Sequence, residues 1–597
     1  MRASLSLRTL SLTLALCASA GLLPASALAQ GAPPQGAQAV AWTTFKGDIS
    51  RSGSSSAKIS LPLALQWRFT SEGPARTYNT SPLIIGGPGR ERVVFAVGSE
   101  VLAVDINTGQ QIWKSPPTLS TDIVTPLTLL STDEGDFIVG AQSNGRIFAL
   151  DALRGTVKWS TETRGSMTRT GPLVLETSAG TRIIAALSTG TIVAFDTAGK
   201  AIPNWKVALD RFSVNTVGAF AVSPNKSRLF VQTTDQKIAC IDAAAGRLMW
   251  RASLPGRLNE TPVATDNFVI TLAGEQIVAL RTDNGSIAWR ARSNGPVVSS
   301  PSLLRANGAE TLFVGTRTGN FQAFDARTGD VLWDKKFDAN FSGSPLVLPN
   351  LIINGTSNGL LLGLDPKSGE QLWTYRLRTD RAITPRTPRL TPTAGGEGGA
   401  PGAEAAPATE TPAEVVRVFP VSSAPAAINN RVFVLGDNAS LYAFSSSAFD
   451  ADPPRAVAPT LTVPDTAKQL FAMLLDRPTA VPGIGPIYFS VELDDVGSGI
   501  DPTSVKFTLD STEIPANQVD YDLASGVVTI TLMDRTTGGT SLSEGLRTIA
   551  ITGRDYAGNE LNFSASFSID SLAESPPAPV LATPGGGAPE GFGAPMF

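Results

Sequence analysis

Tryptophan recurs at positions 67, 113, 159, 205, 250, 289, 333 and 373, at intervals of 46, 46, 46, 45, 39, 44 and 40 residues. A period of about 40–46 residues leaves few architectures open, chiefly propeller blades and solenoids. The content of each unit selects the propeller. Ile147–Asp151 (Ile-Phe-Ala-Leu-Asp), Gly155 and Trp159 recur as Phe321–Asp325, Gly329 and Trp333, and again as Leu361–Asp365, Gly369 and Trp373. Each copy follows a β-alternating run and a short turn such as Asn144-Gly145 or Asn358-Gly359. Asn-Gly between apolar runs signals a tight hairpin, in which both turn residues need φ > 0. Helical periodicity is missing.

One unit therefore holds four strands. The first starts at a step marked by Pro82, Pro126, Pro172, Pro262, Pro301, Pro345 or Pro425; one unit has Val217-Gly218-Ala219 there instead. The third strand ends at the aspartate and the fourth carries the tryptophan. The last unit, Ala424–Phe444, lacks a tryptophan, and the strand around Trp67 lacks a unit. Joining these two leftovers gives eight blades and closes the ring, which removes the exposed sheet edge of an open array. Asp105, Asp151, Asp196, Asp242, Asp325 and Asp365 precede a glycine by three or four residues; Arg281 breaks the rule. Such a carboxylate accepts turn N–H groups, and the glycine takes a left-handed conformation. Two residues before each lies a small residue, Ala103, Ala149, Ala194, Cys240, Ala279, Ala323, Gly363 or Ala443, expected to leave room for a neighbouring indole. Trp67, Trp113, Trp159, Trp205, Trp250, Trp289, Trp333 and Trp373 are thus read as structural docking residues. Cys240 is read as a small buried hydrophobe.

The pattern Ala-x-Asp-x-x-x-Gly-x-x-x-Trp resembles the tryptophan-docking repeat of the pyrroloquinoline-quinone-like β-propeller superfamily, over about 42–445. The segment from Trp42 to Gly53, followed by Trp67, resembles the entry segment of those proteins. The resemblance implies an eight-bladed fold. It leaves function open, since the superfamily holds quinone-dependent dehydrogenases and also non-catalytic propellers, one of them in outer-membrane protein assembly.

Composition narrows that choice. The chain has no His, which excludes Ser-His-Asp and Cys-His catalysis and His-based zinc or haem sites. A net charge of −4 lacks the basic footprint of a nucleic-acid partner. The quinone enzymes, by resemblance, hold their cofactor with Ca²⁺, a tryptophan floor, adjacent cysteines and an aspartate base. Two cysteines, Cys17 and Cys240, cannot make the adjacent pair. The inner strand starts offer Thr125, Thr170, Ser300 and Ser344, a hydroxyl-lined channel with Glu260 as the one acid beside it. No catalytic or cofactor-binding residue is assigned. Arg76, Tyr78, Asn79, Arg169, Arg257 and Asn259 precede these strands and are candidate partner-binding residues at one mouth.

Residues 1–29 read as a secretory signal peptide: Arg2 and Arg8 start it, Leu10–Leu16 are apolar, and Ala27-Leu28-Ala29 is a cleavage site. No later stretch approaches the roughly 18 apolar residues of a membrane span. Residues 30–445 are the propeller, interrupted at 380–416 by a Thr/Pro/Gly/Ala-rich insertion read as disordered. After a linker at 446–459, residues 460–570 show alternating runs, such as Ile487–Leu493 and Val527–Leu532, that suit an immunoglobulin-like β-sandwich of about seven strands. The tail 571–597 is read as disordered. The fold class is all-β, an eight-bladed β-propeller followed by an immunoglobulin-like sandwich. Residues 460–570 hold 15 acids against 6 bases. Asp494, Asp495, Asp501, Asp555 and Asn559 are candidate Ca²⁺ ligands, with ordinary turn chemistry as the competing reading. The function expected is that of an exported, non-enzymatic scaffold in the periplasm or at the cell surface. Its partner would be a protein of the cell envelope, with a role in outer-membrane protein assembly. A quinone-dependent dehydrogenase and a surface adhesin are the alternatives.

Overall fold

The computed structural model describes residues 42–573 except 75–79, 88, 120, 124, 164, 166–170, 210–219, 234, 257, 259, 378–418, 465–469, 476–478, 484 and 534–541. The signal-peptide reading, the 380–416 insertion and nearly all of the tail fall outside these residues. Eight four-stranded antiparallel sheets follow one another as blades. Blade one runs Leu83–Ile85, Arg92–Val97, Glu100–Asp105 and Gln111–Lys114. Blade two begins at Thr128, three at Leu173, four at Phe220, five at Val263, six at Ser302 and seven at Leu346. Blade eight combines Ala426–Ile428, Arg431–Leu435 and Ser440–Ser445 with Ala64–Thr70 as its outer strand. Trp67 of that strand pairs with Ala443, so the chain's two ends of the repeat share one sheet and the ring is closed.

The strands form because their middle residues are buried on both faces. Val93–Val97, Ile147–Leu150 and Ile238–Ile241 are buried throughout, as continuous apolar runs between neighbouring sheets should be. The fourth strands alternate, with outward residues such as Ile112 and Val331 left exposed.

The register makes one local expectation specific and corrects another. The small residue before each aspartate faces the tryptophan of its own blade. Ala103 pairs with Trp113, Ala149 with Trp159, Cys240 with Trp250 and Gly363 with Trp373, and a register shift follows each. The neighbouring indole for which it leaves room is thus the cross-strand one. The Asn-Gly hairpins have φ > 0 at the glycine alone, +91° at Gly145 and +78° at Gly359. Gly145 N–H donates to Gln142 O, so the loop is a three-residue turn closed by a left-handed glycine, not a two-residue one.

Beyond the propeller, two five-stranded sheets enclose one core that includes Leu461, Phe489, Ile530, Ile551 and Phe567. One sheet is ordered Leu470–Leu474, Arg455–Pro464, Ile487–Asp494, Val527–Met533, Val519–Asp522. The other is ordered Ala480–Val481, Glu560–Ile569, Gly545–Arg554, Lys506–Leu509, Thr512–Glu513. Among the described residues this is a sandwich of ten strands where about seven were expected. Its first strand starts at Arg455, inside the stretch read as a linker.

Candidate functional site

The inner strands of the blades converge on an axis, and the chain's own segment 42–55 fills it. The segment's backbone bonds to six of the eight inner strands in turn. Trp42 exchanges N–H···O bonds with Ile84. Carbonyls of Thr43, Ile49, Ser50, Ser52 and Gly53 accept from the N–H groups of Leu129, Val222, Ala264, Leu303 and Val347. Every one of these five bonds is 3.0 Å or shorter. Turns closed by Gly47 N–H to Thr44 O and Arg51 N–H to Asp48 O bend the segment from one inner strand to the next, and inner strands leave one row of N–H groups unpaired for it.

Its polar side chains are buried and engaged. The Arg51 guanidinium donates to Phe220 O at 2.8 Å, Thr44 Oγ1 at 2.8 Å and Phe45 O at 2.7 Å. Lys46 is 0% exposed and its ammonium donates to Pro301 O. Burial lowers its pKa to about 7, with Asp48 and Glu260 opposing and Arg51 adding to the shift. Burial likewise raises Glu260 to about 7, against Ser300 and Lys46, which favour the carboxylate. The crevice between this segment and Pro126, Leu127, Gly171 and Pro172 has no room for a water molecule.

The hydroxyls expected to line the channel lie beside this segment and bond chiefly to the backbone. Thr125 Oγ1 donates to Ala141 O and accepts from Ala141 N–H. Ser300 Oγ accepts from Thr261 N–H and faces Glu260. Thr170 lies outside the described residues. These groups do not fit a quinone held with Ca²⁺: the axis carries an ammonium and a guanidinium, and Cys240 is buried inside blade four with its thiol pushed up to about 12 by burial. The candidate partner residues Arg76, Tyr78, Asn79, Arg169, Arg257 and Asn259 all lie outside the described residues.

A second cluster lies where the sandwich meets the propeller. Asp450, Asp495 and Asp555 bring carboxylate oxygens within 4.8 Å of one another. Asp450 follows blade eight, and its position in a presumed linker hid it from sequence reading. Asp450 accepts from Ser498 N–H at 2.7 Å and Asp495 from Gly499 N–H at 2.6 Å. Asp555 accepts from both the N–H and the amide of Asn559. Burial, with Asp450, Asp555 and Asp494 nearby, raises Asp495 to about 7. Its Oδ1 is buried with no protein partner, and the residue lines a cavity of about 30 Å³, the size for one water. Crowded carboxylates of this kind are relieved by a shared proton or by a hard cation. Two of the five expected ligands are employed elsewhere. Asp494 pairs with Arg376 at 3.0 Å, and Asp501 caps the short helix Pro502–Ser504 through Thr503 N–H.

The tryptophans dock in a common way. Nε1 of Trp67, Trp113, Trp159, Trp205, Trp250, Trp289 and Trp333 donates to a carbonyl in the next blade, of Ile106, Ala152, Thr197, Ala243, Thr282, Ala326 and Pro366. Trp373 donates instead to Ser498 O in the sandwich, at 2.9 Å. That seat lies 125 residues on and carried no signal in the repeat.

Among the described residues no helix is long and apolar enough to cross a membrane. Outer membrane protein assembly factor BamB of Yersinia pestis is 24% identical over 218 residues, 32% of this chain and 54% of that protein. The BamB of Moranella endobia is 24% identical over 304 residues, 48% of this chain and 75% of that protein. The chain thus spans about half the length of the first of these curated relatives. Among solved structures, quinohemoprotein alcohol dehydrogenase from Comamonas testosteroni aligns with a TM-score of 0.50 at 13% identity, over 69% of this chain and 82% of that one. BamB from Moraxella catarrhalis aligns with a TM-score of 0.43 at 16% identity, over 65% and 99%. The model of the family described as outer membrane protein assembly factor BamB matches residues 64–216, 203–309 and 299–403. Those stretches take in more than half of the chain and all of the tryptophan repeats, and by that match the chain belongs to this family.

Proposed function

We propose that this protein is an exported, non-catalytic propeller that serves in the cell envelope as a protein-interaction scaffold for outer-membrane protein assembly. The family match across the repeat carries the reading. The filled axis supports it, because an ammonium, a guanidinium and the backbone take the space where a cofactor would otherwise meet the inner strands. Function then falls to the outside of the ring. There the fourth strands of the blades offer sheet edges with exposed apolar residues, such as Val331 and Leu332, each 54% exposed. An edge of this kind suits an added strand from a protein partner. We read the sandwich as an immunoglobulin-like extension of the same platform.

The test is photo-crosslinking in intact envelopes from a probe placed at Val331, with mass spectrometry of the adducts. Recovery of outer-membrane assembly proteins is the expected result. An absorbance band acquired by the purified protein on adding pyrroloquinoline quinone and Ca²⁺, with no assembly protein crosslinked, would overturn it in favour of a dehydrogenase.

A further inference from the structure

The seventh blade departs from the others in where its tryptophan docks, and the reason lies in the eighth. In seven turns the glycine, from Gly109 to Gly369, presses on the indole of the blade before: a Cβ there would come within 2.7 Å of the ring. Blade eight has no such glycine. Ser445 pairs with Arg431 as Asp325 pairs with Thr311, so Ser445 occupies the aspartate position. Counting on four residues puts Phe449 where glycine is needed, and Phe449 is 92% exposed. A side chain at that place would overlap an indole seated in the usual way.

Trp373 is nonetheless 0% exposed, because the loop Asp495–Gly499 covers it. Ser498 O accepts its Nε1, and Val496 O accepts the Tyr375 hydroxyl at 2.9 Å. Gly497 O accepts from Leu65 N–H at 3.0 Å, and Leu65 belongs to the closing strand of blade eight. One loop therefore takes donors from both sides of the seam where the ring closes. Gly499, at φ +87°, lies so close that a Cβ would be 2.6 Å from Thr374 O. Tyr556 of the sandwich packs on the core formed by blades one, seven and eight.

We infer that the sandwich completes the propeller: its loop Asp495–Gly499 replaces the docking turn that blade eight lacks, so closure of the ring depends on a domain outside it. This goes beyond the scaffold function and does not rest on it.

All nine tryptophans precede residue 374, so tryptophan fluorescence reports the propeller, and Trp373 alone of them reports from the seam with the sandwich loop. Gly499→Ala places a methyl on the seam. Gly545→Ala, at φ +111° with no atom within 4 Å of the new Cβ, adds similar backbone strain to the same domain at the end of strand Gly545–Arg554 far from the seam. In the full chain, Gly499→Ala is expected to lower the midpoint of tryptophan-detected melting by about 2 °C or more, and Gly545→Ala to move it by less than about 1 °C. Equal shifts from the two variants, or none from Gly499→Ala, overturn the inference. Should Gly499→Ala fail to fold, Trp373→Phe keeps the ring and removes the donor. It is expected to speed limited proteolysis within 455–570 several-fold, whereas Trp333→Phe, whose indole docks inside the propeller, leaves that cleavage unchanged. Equal cleavage in both also overturns it.

Discussion

At the scale of single residues, cohesion rests on an indole held from two sides. A cross-strand Ala, Cys or Gly clears one face, and the next blade's turn glycine meets the other. An indole buries up to about 250 Å², so each docked ring adds apolar contact between blades. The glycine is required twice over, for its left-handed backbone and for its missing Cβ, and the two requirements separate experimentally. Gly155 has φ +71° with the Trp113 ring against it, while Gly274 has φ +68° with nothing within 4 Å. Gly274→Ala should cost about 1–2 kcal/mol, the left-handed penalty alone. Gly155→Ala should cost about 1–3 kcal/mol more, because the ring must shift. Guanidinium unfolding of the two variants measures the difference, and equal losses would show that the indole yields freely. Both roles are legible in the sequence, since an Asp-to-Gly-to-Trp spacing that recurs with few departures states them. The direction of docking is not, because the same spacing fits an indole facing its own blade or the next.

At the scale of elements, the parts that escaped sequence reading are those held by backbone. Segment 42–55 looks like a polar loop, and nothing in its side chains declares that Thr43, Ile49 and Ser50 give carbonyls to strands some 86, 173 and 214 residues away. The sandwich loops were partly legible. Asp495 and Asp555 stand out by composition, but Asp450 joins them only through the fold. Their meeting has a consequence in pH. Asp495 has its pKa raised to about 7, above the unfolded value of 3.8. The folded state therefore holds a proton that the unfolded chain releases, and stability falls as pH rises through the window between about 4 and 7. Asp495→Asn keeps the acceptor for Gly499 N–H and cannot ionise. Relative to wild type it should gain about 1–2 kcal/mol between pH 4.5 and pH 8, a discounted figure because the site is partly solvated. Denaturation curves at both pH values decide it; a constant offset between the proteins means that Asp495 does not titrate in this window.

At the scale of the whole molecule, charge is divided between the two bodies. The chain carries −4 overall and residues 460–570 alone carry −9, so the remainder is net positive. That asymmetry is brought inside the fold at Arg376. This residue of blade seven reaches Glu492 at 2.7 Å and Asp494 at 3.0 Å, and donates to the carbonyls of Ser525 and Leu493. Arg376 is 18% exposed and Glu492 only 4%. A pair removed from water is held by geometry, and losing one partner strands the other as an uncompensated buried charge. Arg376→Met should therefore destabilise by about 3–5 kcal/mol, with little relief from salt, since buried pairs are weakly screened. Lys158, which meets Glu134 at 2.8 Å on the open surface of blade two, sets the contrast: Lys158→Met should cost no more than about 1 kcal/mol. The comparison is made by chemical denaturation at 0.05 M and 0.5 M salt. If Arg376→Met costs as little as Lys158→Met, the two bodies are joined by surface contact alone and the propeller does not depend on the charge it shares with the sandwich.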